Sequence, residues 1–246
     1  MKKKILYINP VGTDIFDQQI KEILKKESQA DTEIEVASLK KGPCHLEYYS
    51  YETLVLPDIL YLIKRTEEEG YDAAIIGCFY DPGLREAREI SEIVIVAPAE
   101  ASMHIASTLG NKFSIIVGRK KWIPQMMDNV VRYGLKEKLA SFKSVDLGVY
   151  NFHKSEKGTA EMLKKVSKEA IEKDGAEVII LGCTIQFGFF KELQDYLGAP
   201  VIDAVICPFK FAEFLVELKK RYKWGHSRVC EYEPPPIKEI KKWKLW

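Results

Sequence analysis

Two cysteines occupy positions where a thiol could transfer protons, because each follows a glycine at the end of an apolar run. The first run covers residues 70–78 (GYDAAIIGC) and the second covers residues 175–183 (GAEVIILGC). In both, an acidic residue, an apolar stretch and a Gly-Cys pair follow the leading glycine in the same register. A thiol has a reference pKa of about 8.5, so it can act as a base or as an acid near neutral pH. The pair therefore suits an enzyme that removes a proton from one face of a carbon and returns it to the other.

The elements that must position these cysteines predict an α/β fold that is built twice. Apolar runs bounded by glycines are typical of strands buried on both faces, here residues 73–77 and 178–181. Strands alternate with helices in both halves of the chain, which predicts parallel sheets covered on both faces. We also expect a strand over 145–148 and a helix over 187–197. Ligands bind beyond the carboxyl ends of parallel strands, where both cysteines lie.

The duplicated order predicts two similar parallel-sheet α/β lobes related by a pseudo-twofold axis, with the active site in the cleft between them. The first lobe is expected to comprise residues 1–98 plus 204–223, and the second residues 99–203. Residues 224–246 form a C-terminal extension with three consecutive prolines and with Trp243 and Trp246. Two interpretations of this extension stay open: a strap across the surface of its own chain, and an arm that reaches a neighbouring subunit of a homo-oligomer.

Composition narrows the class of partner. The chain has 246 residues, 46% of them hydrophobic and 30% charged, as in a globular protein with a sizeable core. A net charge of +1 gives no electrostatic reason to bind nucleic acid or an anionic membrane. No apolar run reaches membrane-spanning length, and the stretch after the basic start is too short for a signal peptide. We therefore expect a cytoplasmic protein whose partner is a small-molecule substrate.

Metal and cofactor sites are not expected. There are five cysteines without a Cys-x-x-Cys pair, which fits neither a zinc site nor a disulfide framework. Cys44, Cys207 and Cys230 are predicted to be buried apolar residues. Glu100 and His104 share one helical face, but a third ligand is lacking, so a helix-start carboxylate with a supporting histidine is favoured. The remaining histidines, among them His45, His153 and His226, stand in polar contexts that favour exposure. No nucleotide-binding glycine pattern occurs.

Several motifs carry a resemblance to a known family. The strongest is CFYDPGL at residues 78–84, followed by AREI at 87–90. INP at 8–10, AEA at 99–101 and LGC at 181–183 accompany it. Over residues 4–218 the sequence resembles the aspartate/glutamate/hydantoin racemase superfamily, and most closely its hydantoin and allantoin racemase branch.

The resemblance implies a racemase that needs no cofactor. It makes Cys78 and Cys183 the two acid/base residues. It also implies a set of residues that line the substrate site, namely Asn9, Thr13, Phe79, Tyr80 and Thr184.

Two departures from the branch bear on the substrate. Hydantoin racemases usually carry Ala-Gly-Met after the second cysteine, whereas this chain has Thr184, Ile185 and Gln186. A Gly-Cys-Thr sequence resembles amino-acid racemases, and Arg119 would favour an anionic substrate. We favour a 5-substituted hydantoin, with the apolar Phe79 and Ile185 in contact with it. An aspartate/glutamate-type racemase and a non-catalytic small-molecule-binding protein on the same scaffold are the alternatives.

Overall fold

Strands and helices alternate along the chain, as the apolar periodicity predicts. The computed structural model describes residues 2–243. The strands are β1 (Lys3–Asn9), β2 (Thr32–Ser38), β3 (Ala73–Ile76), β4 (Val94–Val96), β5 (Phe113–Val117), β6 (Leu139–Ser144), β7 (Val178–Leu181) and β8 (Val201–Ile202). The helices are α1 (Asp17–Glu27), α2 (Tyr49–Glu68), α3 (Leu84–Ile90), α4 (Pro98–Leu109), α5 (Ile123–Arg132), α6 (Glu156–Asp174), α7 (Phe190–Leu197), α8 (Ile206–Tyr222) and α9 (Ile237–Trp243).

The strands form two four-stranded parallel sheets with the same order. One sheet runs β2-β1-β3-β4 and the other β6-β5-β7-β8, so each strand of the first sheet has a counterpart in the second. The central strands β3, β5 and β7 are buried at every residue, because helices cover the sheets on both faces. The predicted fold class, two similar parallel α/β sheets, is confirmed.

The chain divides into two compact units. The first comprises the described residues of Met1–Gly77, Pro82–Val96 and Phe209–Trp246, and the second comprises Cys78–Asp81 and Ala97–Pro208. The short loop that begins at Cys78 therefore packs with the second unit, although the strand that leads into it belongs to the first. The pseudo-twofold relation and a site in a cleft between the lobes stay predictions.

One predicted strand is wrong. The strand expected over 145–148 lies earlier, at β6, where every residue is only half-buried. The backbone N–H groups of Val145 and Leu147 still donate to the carbonyls of Val117 and Gly118, so the chain follows β5 beyond the strand itself. The apolar pair at 145 and 147 resembled a buried strand, whereas the true strand pairs at the edge of its sheet, where burial leaves a weaker pattern.

The described part of the C-terminal extension lies on the first unit. The Arg228 guanidinium donates to the backbone carbonyls of Arg88, Glu89 and Ser91 at the end of α3, at 2.6–3.0 Å. These contacts support the strap interpretation, and an arm that reaches another subunit stays a prediction. Trp243 is exposed, and Trp246 lies outside the described residues.

His226, which also belongs to this extension, was expected to be exposed, and that expectation is wrong. Its Nε2 accepts a hydrogen bond from the backbone N–H of Ile95 (2.9 Å), in the edge strand β4. Burial and the positive charges of Arg88 and Lys219 lower the pKa of His226 to about 3.

Candidate active site

Cys78 follows the end of β3, where the chain must pass very close to its neighbour strand. The Gly77 N–H donates to the Ile8 carbonyl at 2.8 Å, which extends the pairing of β3 with β1 by one residue. A Cβ atom on Gly77 would lie only 2.4 Å from the ring of Tyr7, so a side chain cannot be accommodated without displacing that ring. The glycine thus brings the half-buried Cys78 to the carboxyl end of a central strand.

The loop after Cys78 is held by the carboxylate of Asp81. This side chain is 3% exposed and accepts hydrogen bonds from the backbone N–H groups of Ala99 and Glu100, both at 2.8 Å, in the first turn of α4. The Tyr133 hydroxyl donates to the same carboxylate at 2.7 Å. The Asp81 backbone N–H in turn donates to the Cys78 carbonyl at 2.9 Å. Asp81 therefore joins the cysteine loop to the positive end of a helix dipole.

Burial disfavours the ionised form of Asp81. It raises the pKa of Asp81 to about 7, while the hydrogen bonds from Ala99, Tyr133 and Glu100 act in the opposite direction. Burial and the neighbouring Asp81 also raise the pKa of the Tyr133 hydroxyl far above its usual range, so that hydroxyl stays a donor. Asn129 completes the anchoring, since its Nδ2 donates to the Tyr80 carbonyl at 2.8 Å.

Cys183 follows β7 through the same kind of close approach. The Gly182 N–H donates to the Ile116 carbonyl at 2.8 Å, as Gly77 does on the other sheet. A Cβ atom on Gly182 would lie 2.6 Å from Cγ2 of Ile115. Both half-buried cysteines thus follow the third strand of a sheet, next to the end of the first strand of the same sheet. Both cysteine loops also belong to the second unit.

A tight turn follows Cys183. Residues Thr184–Gln186 form a single 3-10 turn, for which Cys183 is the N-cap. The Gln186 backbone N–H donates to the Cys183 carbonyl at 3.0 Å and also to its sulfur, and Oε1 of Gln186 accepts from the Cys183 N–H at 3.1 Å. Gly188 has a φ of +87°, which favours glycine and delays the next helix. The helix expected from residue 187 accordingly begins at Phe190.

His153 contacts the same turn from another element. Its Nε2 lies 2.8 Å from the Ile185 carbonyl, which can only accept, so this nitrogen carries the proton. The imidazole stacks on Phe187 and Phe189, with ring centroids 4.6 and 5.4 Å apart. The turn is therefore held at its carbonyl side as well as at its sulfur.

A second buried aspartate caps the helix that follows β8. Asp203 is 4% exposed, and its Oδ1 accepts from the N–H groups of Val205 and Ile206 at 2.7 and 3.0 Å. Burial raises the pKa of Asp203, and the hydrogen bonds from Ile206 and Val205 oppose that shift. Asp203 thus caps the start of α8, whereas Asp81 joins the loop after Cys78 to the first turn of α4.

The expected substrate-binding residues divide between the two units. Those in the second unit are Phe79, Tyr80, Arg119, Thr184 and Ile185. Phe79, Tyr80 and Ile185 are buried, with 2%, 8% and 6% of their surface exposed, whereas Arg119 and Thr184 are half-buried. Asn9 and Thr13 belong to the first unit. Asn9 donates from Nδ2 to Asp17 at 3.2 Å, which fixes its amide at the end of β1. Contact of these seven residues with substrate stays a prediction.

Sequence reasoning missed the residues that hold the cysteine loops. They are Asn129, Tyr133, His153 and Gln186, together with Asp81, which was interpreted only as part of a turn. A signal existed for Asp81, because it precedes Pro82-Gly83 and adopts a φ of +53° that few residues other than asparagine, aspartate and glycine tolerate. Gln186 stands three residues after Cys183, which is the spacing of a capping box, and the others show no local signal because their partners are distant in sequence.

Two of the other cysteine predictions are wrong. Cys44 and Cys230 are exposed, since Cys44 lies in a loop and Cys230 begins a short 3-10 turn of the C-terminal extension. Cys207 is half-buried, and burial raises the pKa of its thiol to about 12. Glu100 lies in the first turn of α4, as expected, and His104 has its ring 6.3 Å from that of Tyr133. Within residues 2–243, no helix is long and apolar enough to cross a membrane.

Comparisons with known proteins agree with this duplicated architecture. A profile of the Asp/Glu/hydantoin racemase family matches residues 5–212. The chain belongs to this family. It is 37% identical to a hydantoin racemase of Pseudomonas sp. (strain NS671) over 96% of this chain and 93% of that protein. It is 34% identical to a hydantoin racemase of Paenarthrobacter aurescens over 96% and 99% of the two chains.

A solved structure shows the same fold. The allantoin racemase from Klebsiella pneumoniae superposes with a TM-score of 0.89 at 27% identity and covers 96% of this chain and 94% of its own. Racemase homologues over nearly the whole length therefore support an isomerase of the racemase type.

Proposed function

We propose that this protein racemises 5-substituted hydantoins, with Cys78 and Cys183 as its two proton-transfer groups. The observation that supports this most is the equivalence of the two cysteines. Each follows a glycine at the end of the third strand of a parallel sheet, the two sheets have the same strand order, and both cysteine loops belong to one compact unit. A structural role would not require a thiol at both equivalent positions.

In the proposed reaction, the thiolate of one cysteine removes the C5 proton from one face of the ring. The C–H electron pair moves into the ring and forms an enolate whose charge lies on the C4 oxygen. The thiol of the other cysteine then donates its proton to the opposite face of C5, so one thiol gains the proton that the other loses. Backbone N–H groups after each cysteine are suited to stabilise the enolate oxygen.

A hydantoin is favoured over a free amino acid for two reasons. The hydantoin racemases named above are more than 30% identical to this chain over nearly its whole length. The C5 proton of a hydantoin is also more acidic, because the adjacent carbonyl belongs to an imide and not to a carboxylate. The buried Phe79 and Ile185 would provide the apolar surface that an uncharged ring needs.

The test is a pair of single substitutions. We expect Cys78→Ser and Cys183→Ser each to abolish racemisation of an L- or D-hydantoin, followed by polarimetry, because a hydroxyl is far too weak an acid to replace the thiol. Each variant should still exchange the C5 proton of one enantiomer for deuterium, because one base remains. Cys44→Ser changes an exposed cysteine and serves as the control with unchanged activity. Full racemase activity in either of the first two variants would contradict the two-base mechanism.

An amino-acid racemase is the second candidate, and two half-buried residues of the second unit favour it. Thr184 follows Cys183 directly, and Arg119 supplies a cation near the end of β5. If the substrate is a neutral ring, Arg119→Ala should leave the rate with a hydantoin nearly unchanged, because the ring has no charge for the guanidinium to bind. A steep rise in KM for this variant, with aspartate or glutamate as the better substrate, would replace the hydantoin proposal.

A non-catalytic binding protein is the remaining alternative, and it makes a different prediction. Alkylation of Cys78 or Cys183 should then affect only the binding of the ligand, and no hydantoin or amino acid should lose optical rotation. Racemisation of any hydantoin by the unmodified protein, abolished by iodoacetamide, would exclude this alternative.

A further inference from the structure

Gln186 is a buried polar residue directly beside a proposed catalytic cysteine. Only 1% of its surface is exposed. Its side-chain Oε1 accepts from the Cys183 N–H at 3.1 Å, and its own backbone N–H donates to the carbonyl and the sulfur of Cys183. Cys183 and Gln186 therefore form a reciprocal cap, in which each residue satisfies a backbone N–H of the other.

The orientation of the amide follows from its partner. The Cys183 N–H is a donor, so the oxygen of Gln186 must face it and the nitrogen must occupy the other position. That nitrogen is buried and has no hydrogen-bond partner among residues 2–243. A buried amide nitrogen without a partner is unfavourable, and a methionine or leucine would fill a similar volume without this penalty. The unpaired Nε2 of Gln186 therefore lowers the stability of the fold, whereas Oε1 orders Cys183.

The ordering reaches the reacting atom. A hydrogen bond from a backbone N–H to sulfur favours the thiolate, and the Gln186 N–H lies at the sulfur only while the turn Thr184–Gln186 stays closed. The side-chain bond to the Cys183 N–H closes that turn from the opposite side. We infer that Gln186 is a positioning residue. It holds the Cys183 thiol against the backbone N–H of Gln186, and it thereby sets the orientation of that thiol and the ease with which it ionises. The consequence for racemisation rests on the proposed function.

Two substitutions and one matched control test this inference. Gln186→Met removes the acceptor oxygen and keeps the volume. Gln186→Glu keeps an acceptor oxygen and places an acidic group beside the sulfur. Gln194→Met is the control, because Oε1 of Gln194 likewise accepts from a backbone N–H, that of Val201 at 3.1 Å, in the same unit but at β8.

The first readout is the pH dependence of iodoacetamide alkylation, measured by mass spectrometry on the peptide that contains Cys183. We expect Gln186→Met to move the midpoint upward by roughly one pH unit, because the turn opens without the side-chain bond and the backbone N–H of residue 186 no longer donates to the thiolate, a loss of about tenfold. Gln186→Glu should move it upward as well, because a neighbouring carboxylate disfavours the thiolate. Gln194→Met should leave the midpoint where it is in the parent protein.

The second readout is racemisation. Gln186→Met should lower kcat by roughly tenfold with KM changed less than about twofold, because the substitution affects the thiol and not the binding surface. Alkylation profiles of both Gln186 variants that coincide with the parent profile would overturn the inference, even if the parent is an active racemase. If the profiles of the Gln186 variants are shifted but the parent protein has no racemase activity, the inference stands and only the proposed function is contradicted.

Discussion

Asp81→Asn separates the support of the Cys78 loop from the chemistry of its thiol. The carboxylate accepts three hydrogen bonds, from the N–H groups of Ala99 and Glu100 and from the Tyr133 hydroxyl, all between 2.7 and 2.8 Å. An amide has the same shape but only one acceptor oxygen. Its NH2 group must therefore face at least one of the two backbone N–H donors, which the rest of the buried site leaves without an acceptor.

The magnitude follows from these contacts. A buried backbone N–H without an acceptor costs about 1–3 kcal/mol, and the bonds that remain lose the strengthening that a charged acceptor gives. We expect Asp81→Asn to lower the free energy of unfolding by about 2–4 kcal/mol. Tyr133→Phe removes one donor and leaves both backbone bonds, so its effect should be smaller, about 1–3 kcal/mol. Tyr196→Phe is the matched control at an exposed tyrosine of the same unit, with an expected change below about 0.5 kcal/mol.

Urea denaturation at about pH 8, where Asp81 is ionised, measures the stability by circular dichroism, and polarimetry measures racemisation in the same preparations. Because the Asp81 N–H donates to the Cys78 carbonyl, a displaced Asp81 also displaces the thiol. A shift of about 1 Å lowers the rate of an enzyme by up to about 100-fold, so kcat should fall in a protein that is still folded. An Asp81→Asn variant with unchanged stability and unchanged kcat would refute the conclusion that Asp81 holds the Cys78 loop in place.

Three further results are expected. Burial raises the pKa of Asp81 to about 7, above its unfolded value of about 3.9, so the free energy of unfolding should decrease as the pH rises from about 4 to 7, because the carboxyl ionises less readily in the folded state, and Asp81→Asn should lack this dependence. The pKa of His226 is lowered to about 3, below an unfolded value of about 6.5, so stability should fall as the pH drops through that interval, and a His226→Gln variant that follows the same curve would contradict this. Iodoacetamide should modify the exposed Cys44 and Cys230 in the native protein but Cys207 only after unfolding, as peptide mass spectrometry would show, because the pKa of the Cys207 thiol is raised to about 12; rapid native modification of Cys207 would be inconsistent with that raised pKa.

Side chains of the first unit also cover its edge strand β4. His226 accepts from the N–H of Ile95 in the edge strand β4, and the Arg88 guanidinium donates to the carbonyl of the same residue at 3.0 and 3.2 Å. Both outward backbone groups of Ile95 are thus satisfied by side chains. An unpaired edge strand is a template for association with another chain, and these contacts block it at this position.

Residues that interact with distant partners account for most of what sequence reasoning missed. Asp81 is 52 positions from Tyr133, and His153 is 32 positions from Ile185. Neither pair leaves a periodic pattern, because hydrogen-bonded polar residues in loops repeat at no fixed interval. The predicted exposure of His226 is wrong for the same reason, because a histidine among polar residues gives no indication that it will be buried at the edge of β4.

The sequence by itself determined the duplicated α/β plan and the two cysteines at equivalent strand ends. Both are written in local patterns, namely continuous apolar runs and glycines at fixed distances, and such patterns follow from burial and from the geometry of the strand itself. Tertiary structure alone decided where β6 pairs, which helix start holds Asp81, and that His153 contacts the turn after Cys183. Those outcomes depend on which donors and acceptors the folded chain brings within about 3 Å of one another, and no single stretch of sequence contains that information.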